Sequence, residues 1–295
     1  MIRIISKHIP QKYTIALAAV LLSAMLFFDA NANPVTREIR DVEKRLGARV
    51  GVAVYDTASN DLWHYNGDAR FPLNSTFKTL ACAKLLADVD KGEQSFASNV
   101  VIQKNALVTW SPVTEKLVGK AVTLGQACEA VMVMSDNTAA NIVLGGIGGP
   151  EALTQFMRAM GDRVTRLDRI EPDLGEAAEG DPRDTTTPKA MVKSLHTLLF
   201  GNTVLNAASQ KQLKQWMMDN KVSDSLLRSV LPGGWSIADR SGAGGNGSRG
   251  ITAVAWSKTR LPLVISIYLT RTDASFDARN QAIAGIGRAV FDVYQ

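Results

Sequence analysis

The chain has 295 residues, 46% of them hydrophobic and 21% charged, enough apolar material for one large domain or two interleaved ones. Its formal charge of +5 is scattered along the chain rather than massed into a stripe, which removes support for nucleic-acid binding. With 3 histidines, one of them (His8) in the N-terminal leader, and with no H-E-x-x-H or G-x-S-x-G pattern, a catalytic zinc site and a histidine-based serine triad both lack material.

The leader has the three parts of a secretory signal peptide: basic Arg3, Lys7 and Lys12, an apolar run over 15–28 broken by Ser23, and small residues at Ala30-Asn31-Ala32. At about 14 residues the run is shorter than the roughly 20 of a spanning helix. Removal of 1–32 is therefore expected, leaving residues 33–295 in the periplasm with no membrane attachment. Residues 36–46 read as an amphipathic helix ended by Gly47, and 49–55 and 61–65 as strands, with His64 on the second. Apolar spacing predicts helices over 75–90, stopping before Gly92, over 124–134, and over 137–144, stopped by the Gly and Pro cluster of 145–150. Residues 166–183 lack periodicity and are rich in charge, Gly and Pro; a loop that long is usually functional.

Thr187-Pro188 opens a helix with a capping residue and a proline at its first position, and His196 falls within it. Residues 206–219 read as another helix. Residues 235–239, 251–257 and 262–270, rich in Val, Ile and Thr, read as strands, and 278–294 as a closing helix. Strands at both ends with helices between predict an α/β layer built from the two termini, with a helical domain inserted. Both histidines outside the leader read as structural. The two cysteines, Cys82 and Cys128, follow the leader; an oxidising compartment favours a disulfide between them over two buried thiols.

Three short motifs carry chemistry. In Ser75-Thr76-Phe77-Lys78, a helix would set hydroxyl and amine on one face, and a lysine kept partly neutral can take a serine proton. Alone, this could equally be a capping serine and a surface lysine. In Ser135-Asp136-Asn137, Ser135 offers a hydroxyl for passing a proton to a departing nitrogen and Asn137 an amide for a carbonyl or a lysine; Asp136 suits a helix cap. In Arg240-Ser241-Gly242, followed by Ala243, a cation and a hydroxyl on a strand edge can bind a carboxylate, and the glycine leaves room for a ligand beside the backbone.

In this order the motifs correspond to the set S-x-x-K, S-D-N, K-T-G of class A β-lactamases and penicillin-binding proteins, with Arg-Ser-Gly in the third place. With Arg70-Phe71-Pro72, Asp136-Asn137-Thr138-Ala139-Ala140-Asn141 and Asp184-Thr185-Thr186-Thr187-Pro188, the chain resembles a class A serine β-lactamase over essentially all of residues 33–295. The resemblance implies an antiparallel sheet flanked by N- and C-terminal helices, with an inserted all-α domain. The α/β part would comprise 33–73 and 217–295, and the helical part 74–216 with an Ω loop at about 166–183. Arg169-Ile170-Glu171-Pro172-Asp173-Leu174 resembles that loop, whose glutamate, here Glu171, separates β-lactamases from penicillin-binding proteins by activating the water that releases the acyl-enzyme. Arg169 would brace the loop through an acid such as Asp184.

The same resemblance makes Ser75 the nucleophile, Lys78 or Glu171 its base, and Ser135 the proton relay. It places the oxyanion hole at the backbone N–H groups of Ser75 and Ala243 and an aromatic at the cleft mouth in Trp110. It adds Asn137, Arg240, Ser241, Gly242 and Arg249 to the substrate site and pairs Cys82 with Cys128. It implies a β-lactam as the small-molecule substrate, no metal or other cofactor, and a monomer that confers antibiotic resistance. Two positions depart from the commoner pattern. Arg240 stands where most of the family has lysine, as in the carbenicillin-hydrolysing subgroup. Gly175 stands where many relatives have an asparagine that helps hold the deacylating water.

Overall fold

In a computed structural model that describes residues 33–295, Asn33 caps the first helix, α1 (Pro34–Leu46), by accepting from the Val35 N–H at 2.9 Å. Gly47, at φ 58°, ends it as the composition suggested. The signal-peptide reading concerns residues 1–32, which lie outside the described residues. Two strands follow, β1 (Arg49–Asp56) and β2 (Asp61–Tyr65), then the short β3 (Phe71–Pro72). A 3₁₀ turn, Asn74–Thr76, leads straight into α2 (Phe77–Asp90). The ribbon β4 (Asn99–Val101) and β5 (Ala121–Thr123) precedes α3 (Leu124–Met134), α4 (Asn137–Gly146) and α5 (Gly149–Ala159). The strand β6 (Thr185–Thr186) pairs with β3, and then come α6 (Pro188–Phe200), capped by Thr187, and α7 (Ala207–Met218), capped by Asn206. The chain closes with β7 (Ser236–Ala243), β8 (Arg249–Trp256), β9 (Leu263–Thr270) and α8 (Phe276–Tyr294).

The main sheet is antiparallel throughout, in the order β2-β1-β9-β8-β7. Alternation along each strand feeds two cores. Val50, Val52 and Val54 of β1 and Ile265 and Ile267 of β9 face α1 and α8, against Ile39, Val42, Ile283, Ile286 and Val290. Ala53, Val254, Val264 and Tyr268 face the helices, against Phe71, Phe77, Leu80, Val131 and Leu195. Each such large side chain contributes about 1.5–3 kcal/mol on burial. The α/β fold with an antiparallel sheet is the expected one, with both terminal helices on the same face of it.

Several boundaries differ from the sequence reading. The Gly and Pro cluster of 145–150 was expected only to stop a helix; it also starts α5, because Gly148 takes a left-handed φ of 90° and Pro150 sits in the first turn. The strand expected over 235–239 runs on to Ala243, held by β8 through the pairs Ser241↔Ile251 and Ala243↔Arg249.

Candidate active site

Ser75 lies on the 3₁₀ turn, and Lys78, one turn further on, is fully buried within α2. The Lys78 ammonium donates to the Ser135 carbonyl oxygen at 2.9 Å, Ser135 Oγ at 3.2 Å and Asn137 Oδ1 at 2.5 Å, and lies 3.5 Å from Glu171 Oε1. Four of the sequence-predicted residues therefore meet around one nitrogen. Burial lowers the Lys78 pKa to about 7, with the Arg240 charge adding to the effect and Glu171 opposing it. Burial also pushes the Glu171 carboxyl upward, against the pull of Lys78. Each group's charge thus opposes the effect of burial on the other.

Local structure explains these placements. Ser135, at φ 60°, caps the end of α3, which turns its carbonyl toward Lys78. Asp136 is the N-cap of α4: Oδ1 accepts from Ala139 N and Thr114 Oγ1, and Oδ2 accepts from Val113 N and Thr114 N. That buried carboxylate fastens the segment after Trp110 to the motif. Trp110 itself is 57% exposed on a left-handed backbone, φ 64°; its indole N–H donates to the Met134 carbonyl at 3.1 Å. Its own carbonyl accepts from Asn137 N at 2.9 Å.

Glu171 is fixed by a residue to which the sequence reading gave no role. Asn141 Oδ1 accepts from Glu171 N at 2.9 Å, and Asn141 Nδ2 donates to the Glu171 carbonyl at 2.9 Å. The signal was present: Asn141 is four residues after Asn137, so both share one face of α4. Arg169 meets Asp184 through Nε at 2.6 Å, as expected, and also pairs with Glu176. The Asp184 carboxylate accepts in addition from the N–H groups of Asp168 and Arg169. Gly175 follows in a short 3₁₀ turn, and a Cβ added there would meet nothing within 4 Å.

On β7, Arg240 is wholly buried. Its Nη1 donates to the Met132 carbonyl at 3.1 Å and Asn220 Oδ1 at 3.3 Å, and its Nε to the Ser75 carbonyl at 3.4 Å. Burial lowers its pKa to about 10, so it stays charged at neutral pH. Gly242 makes room, as expected, but for the protein rather than a ligand: a Cβ there would stand 2.7 Å from Ser75 N. Ala243 is exposed beyond it, and Arg249, paired across the hairpin, donates to the Gly242 carbonyl at 3.0 Å and to Asn280 Oδ1 at 2.8 Å. Ser241 Oγ donates to the Val222 carbonyl at 3.3 Å. Cys82 of α2 and Cys128 of α3 form a disulfide with a Cα–Cα distance of 5.8 Å, joining the helices that lead from Ser75 and into Ser135. Neither remaining histidine belongs to the cluster: His64 is exposed on β2, and His196 packs between Tyr55 and Phe200.

The sequence model of the Beta-lactamase enzyme family matches residues 34–294. The chain is 53% identical over 283 residues to β-lactamase PSE-4 of Pseudomonas aeruginosa, covering 96% of this chain and 98% of that relative. It is 50% identical over 266 residues to β-lactamase AER-1 of Aeromonas hydrophila, covering 90% and 87%. The crystal structure of the chromosome-encoded β-lactamase of Vibrio parahaemolyticus superposes with a TM-score of 0.87 at 55% identity, covering 88% of this chain and 99% of that one. An ancestral class A β-lactamase superposes with a TM-score of 0.86 at 48% identity, over 88% and 100%. The chain belongs to the β-lactamase enzyme family, in its class A, and is a hydrolase.

Proposed function

We propose that this enzyme is an exported penicillinase that opens the β-lactam ring of penicillins, carbenicillin among them, through a covalent acyl-enzyme on Ser75. The observation that carries the reading is the buried Lys78 ammonium, held among Ser135, Asn137 and Glu171 within one turn of Ser75. Ser75 Oγ attacks the ring carbonyl carbon, and its proton passes to neutral Lys78 or, through a water, to Glu171. The oxyanion draws on the N–H groups of Ser75 and Ala243, each worth about 3 kcal/mol in a water-excluded site. As the C–N bond breaks, Ser135 relays a proton to the ring nitrogen. Glu171 then takes a proton from water, which attacks the ester and restores Ser75.

Arg240, Ser241 and Arg249 favour the ring carboxylate, and Trp110 and Asn137 flank the substrate. No metal or organic cofactor enters the scheme. The enzyme acts as a monomer in the periplasm, built from an α/β unit of 33–73 and 217–295 and a helical unit of 74–216. No helix among the described residues is long and apolar enough to cross a membrane.

The carbenicillin assignment rests on Arg240. Carbenicillin carries a second carboxylate, and a planar guanidinium is a different donor from a lysine ammonium. Arg240→Lys should keep benzylpenicillin kcat/KM within about threefold and lose about tenfold or more on carbenicillin, the equivalent of one charge-assisted hydrogen bond of about 1.5 kcal/mol. Equal losses on the two substrates would make Arg240 a general carboxylate anchor.

A further inference from the structure

Arg240 is a fully buried cation, yet among the described residues no carboxylate lies within ion-pairing distance of it. Its three acceptors, the Met132 and Ser75 carbonyls and Asn220 Oδ1, are neutral. The nearby Asp239 carboxylate is committed elsewhere. It accepts from Arg228 Nε at 2.8 Å and Nη2 at 2.5 Å, and from the Ser223 hydroxyl. A buried charge without a counter-charge is costly, so what stands between Arg240 and that acid matters.

Asn220 links the two, bonding Arg240 directly and reaching the Asp239 carboxylate through Ser223. It is buried, and every polar direction of its amide is used: Oδ1 accepts from Arg240 Nη1 and from Val222 N at 3.1 Å, while Nδ2 donates to Ser223 Oγ at 2.8 Å and to the Asp239 carbonyl at 3.2 Å. The Val222 N–H and the Asp239 carbonyl fix which end of the amide faces Arg240, since a flipped amide would oppose donor to donor and acceptor to acceptor. We infer that Asn220 is a positioning residue for Arg240. It aims the guanidinium at the Ser75 and Met132 carbonyls and, being neutral, leaves the full positive charge to the anionic groups of the substrate. A carboxylate in its place would pair with Arg240 and cancel part of that field, most of all for a dianion. This inference rests on the substrate reading above.

The test compares Asn220→Asp with the parent on benzylpenicillin, a monoanion, and carbenicillin, a dianion. The expected result is a carbenicillin KM raised about tenfold, benzylpenicillin KM raised about threefold or less, and kcat held within about threefold on both, as weakened charge-assisted binding requires. Should Asn220→Asp fail to fold, Asn220→Ser carries the test. It keeps the charge of Arg240 unopposed and loses only its aim, so carbenicillin kcat/KM should fall more than that of benzylpenicillin. Equal changes on both substrates, in either variant, would overturn the inference and leave Asn220 a structural amide. A parent enzyme that does not hydrolyse carbenicillin would instead overturn the substrate reading beneath it.

Discussion

At the scale of single residues, the chemistry depends on what burial does to ordinary side chains. Lys78 is a strong base by composition; wholly enclosed, its pKa falls to about 7, so much of it is neutral in the range where the enzyme would work. Glu171 opposes that fall. Removing its charge in Glu171→Ala should therefore lower the Lys78 pKa further and move the acid limb of acylation to lower pH, if Lys78 takes the Ser75 proton. Deacylation should fall by a factor of about 10² or more, in the range of a general base's contribution, so that the acyl-enzyme accumulates. Stopped-flow acylation across pH checks this; loss of acylation together with deacylation would instead make Glu171 the base for both steps.

Ser75, Lys78, Ser135 and Asn137 were picked out by short patterns with their own chemical logic, and Glu171 by its resemblance to the Ω loop. Asn141 was marked only by its spacing from Asn137, and Asn220 not at all. Their partners Glu171 and Arg240 lie 30 and 20 residues away in the chain, and neither local sequence shows which distant group the amide bonds. Gly242 was legible as a glycine that makes room, though only the packing of β7 on the Ser75 turn reveals what fills it.

At the scale of elements, the proposed release of the acyl-enzyme would depend on the loop between α5 and β6. It is tied at its base by the bridge Arg166↔Thr185, along its length by Arg169 to Asp184, and at Glu171 by Asn141. The lack of periodicity over 166–183 marked it as a functional loop, and the ion pair expected from Arg169 is present. Arg169→Ala would leave the buried Asp184 carboxylate with backbone donors alone, at a cost of about 2–3 kcal/mol. Urea unfolding should show that loss, and turnover should fall chiefly through slower deacylation, because Glu171 lies two residues from the broken pair. Unchanged stability and unchanged deacylation would remove Arg169 from that role. The element the sequence reading missed, α5, begins within a Gly-Gly-Pro run, where Gly148 and Gly149 take left-handed φ and Pro150 sits in the first turn. Propensity alone does not separate these two uses.

At the scale of the molecule, the sheet separates a core against the terminal helices from one against the central helices, and the candidate site residues gather where β7 meets α2 and α3. Strands at both ends of the chain were enough to foresee that layering, because amphipathic strands need partners on both faces. Their order was not, since β1 lies beside β9 rather than β7 or β8 only in three dimensions. The Cys82–Cys128 bridge spans 46 residues and joins the helices that lead from Ser75 and into Ser135. Replacing both cysteines by alanine should cost about 4 kcal/mol on the chain-entropy account. Chemical denaturation should show the loss, with little change in kcat while the protein remains folded; equal stability would mean that the unfolded chain gains little freedom.

The central claim is that Ser75 carries the acyl group, and mass spectrometry of the Glu171→Ala enzyme after brief exposure to benzylpenicillin tests it most directly. The expected result is a gain of one intact substrate mass on the peptide containing Ser75, and no such gain in Ser75→Ala/Glu171→Ala. An adduct on another peptide, or wild-type turnover in Ser75→Ala, would contradict it.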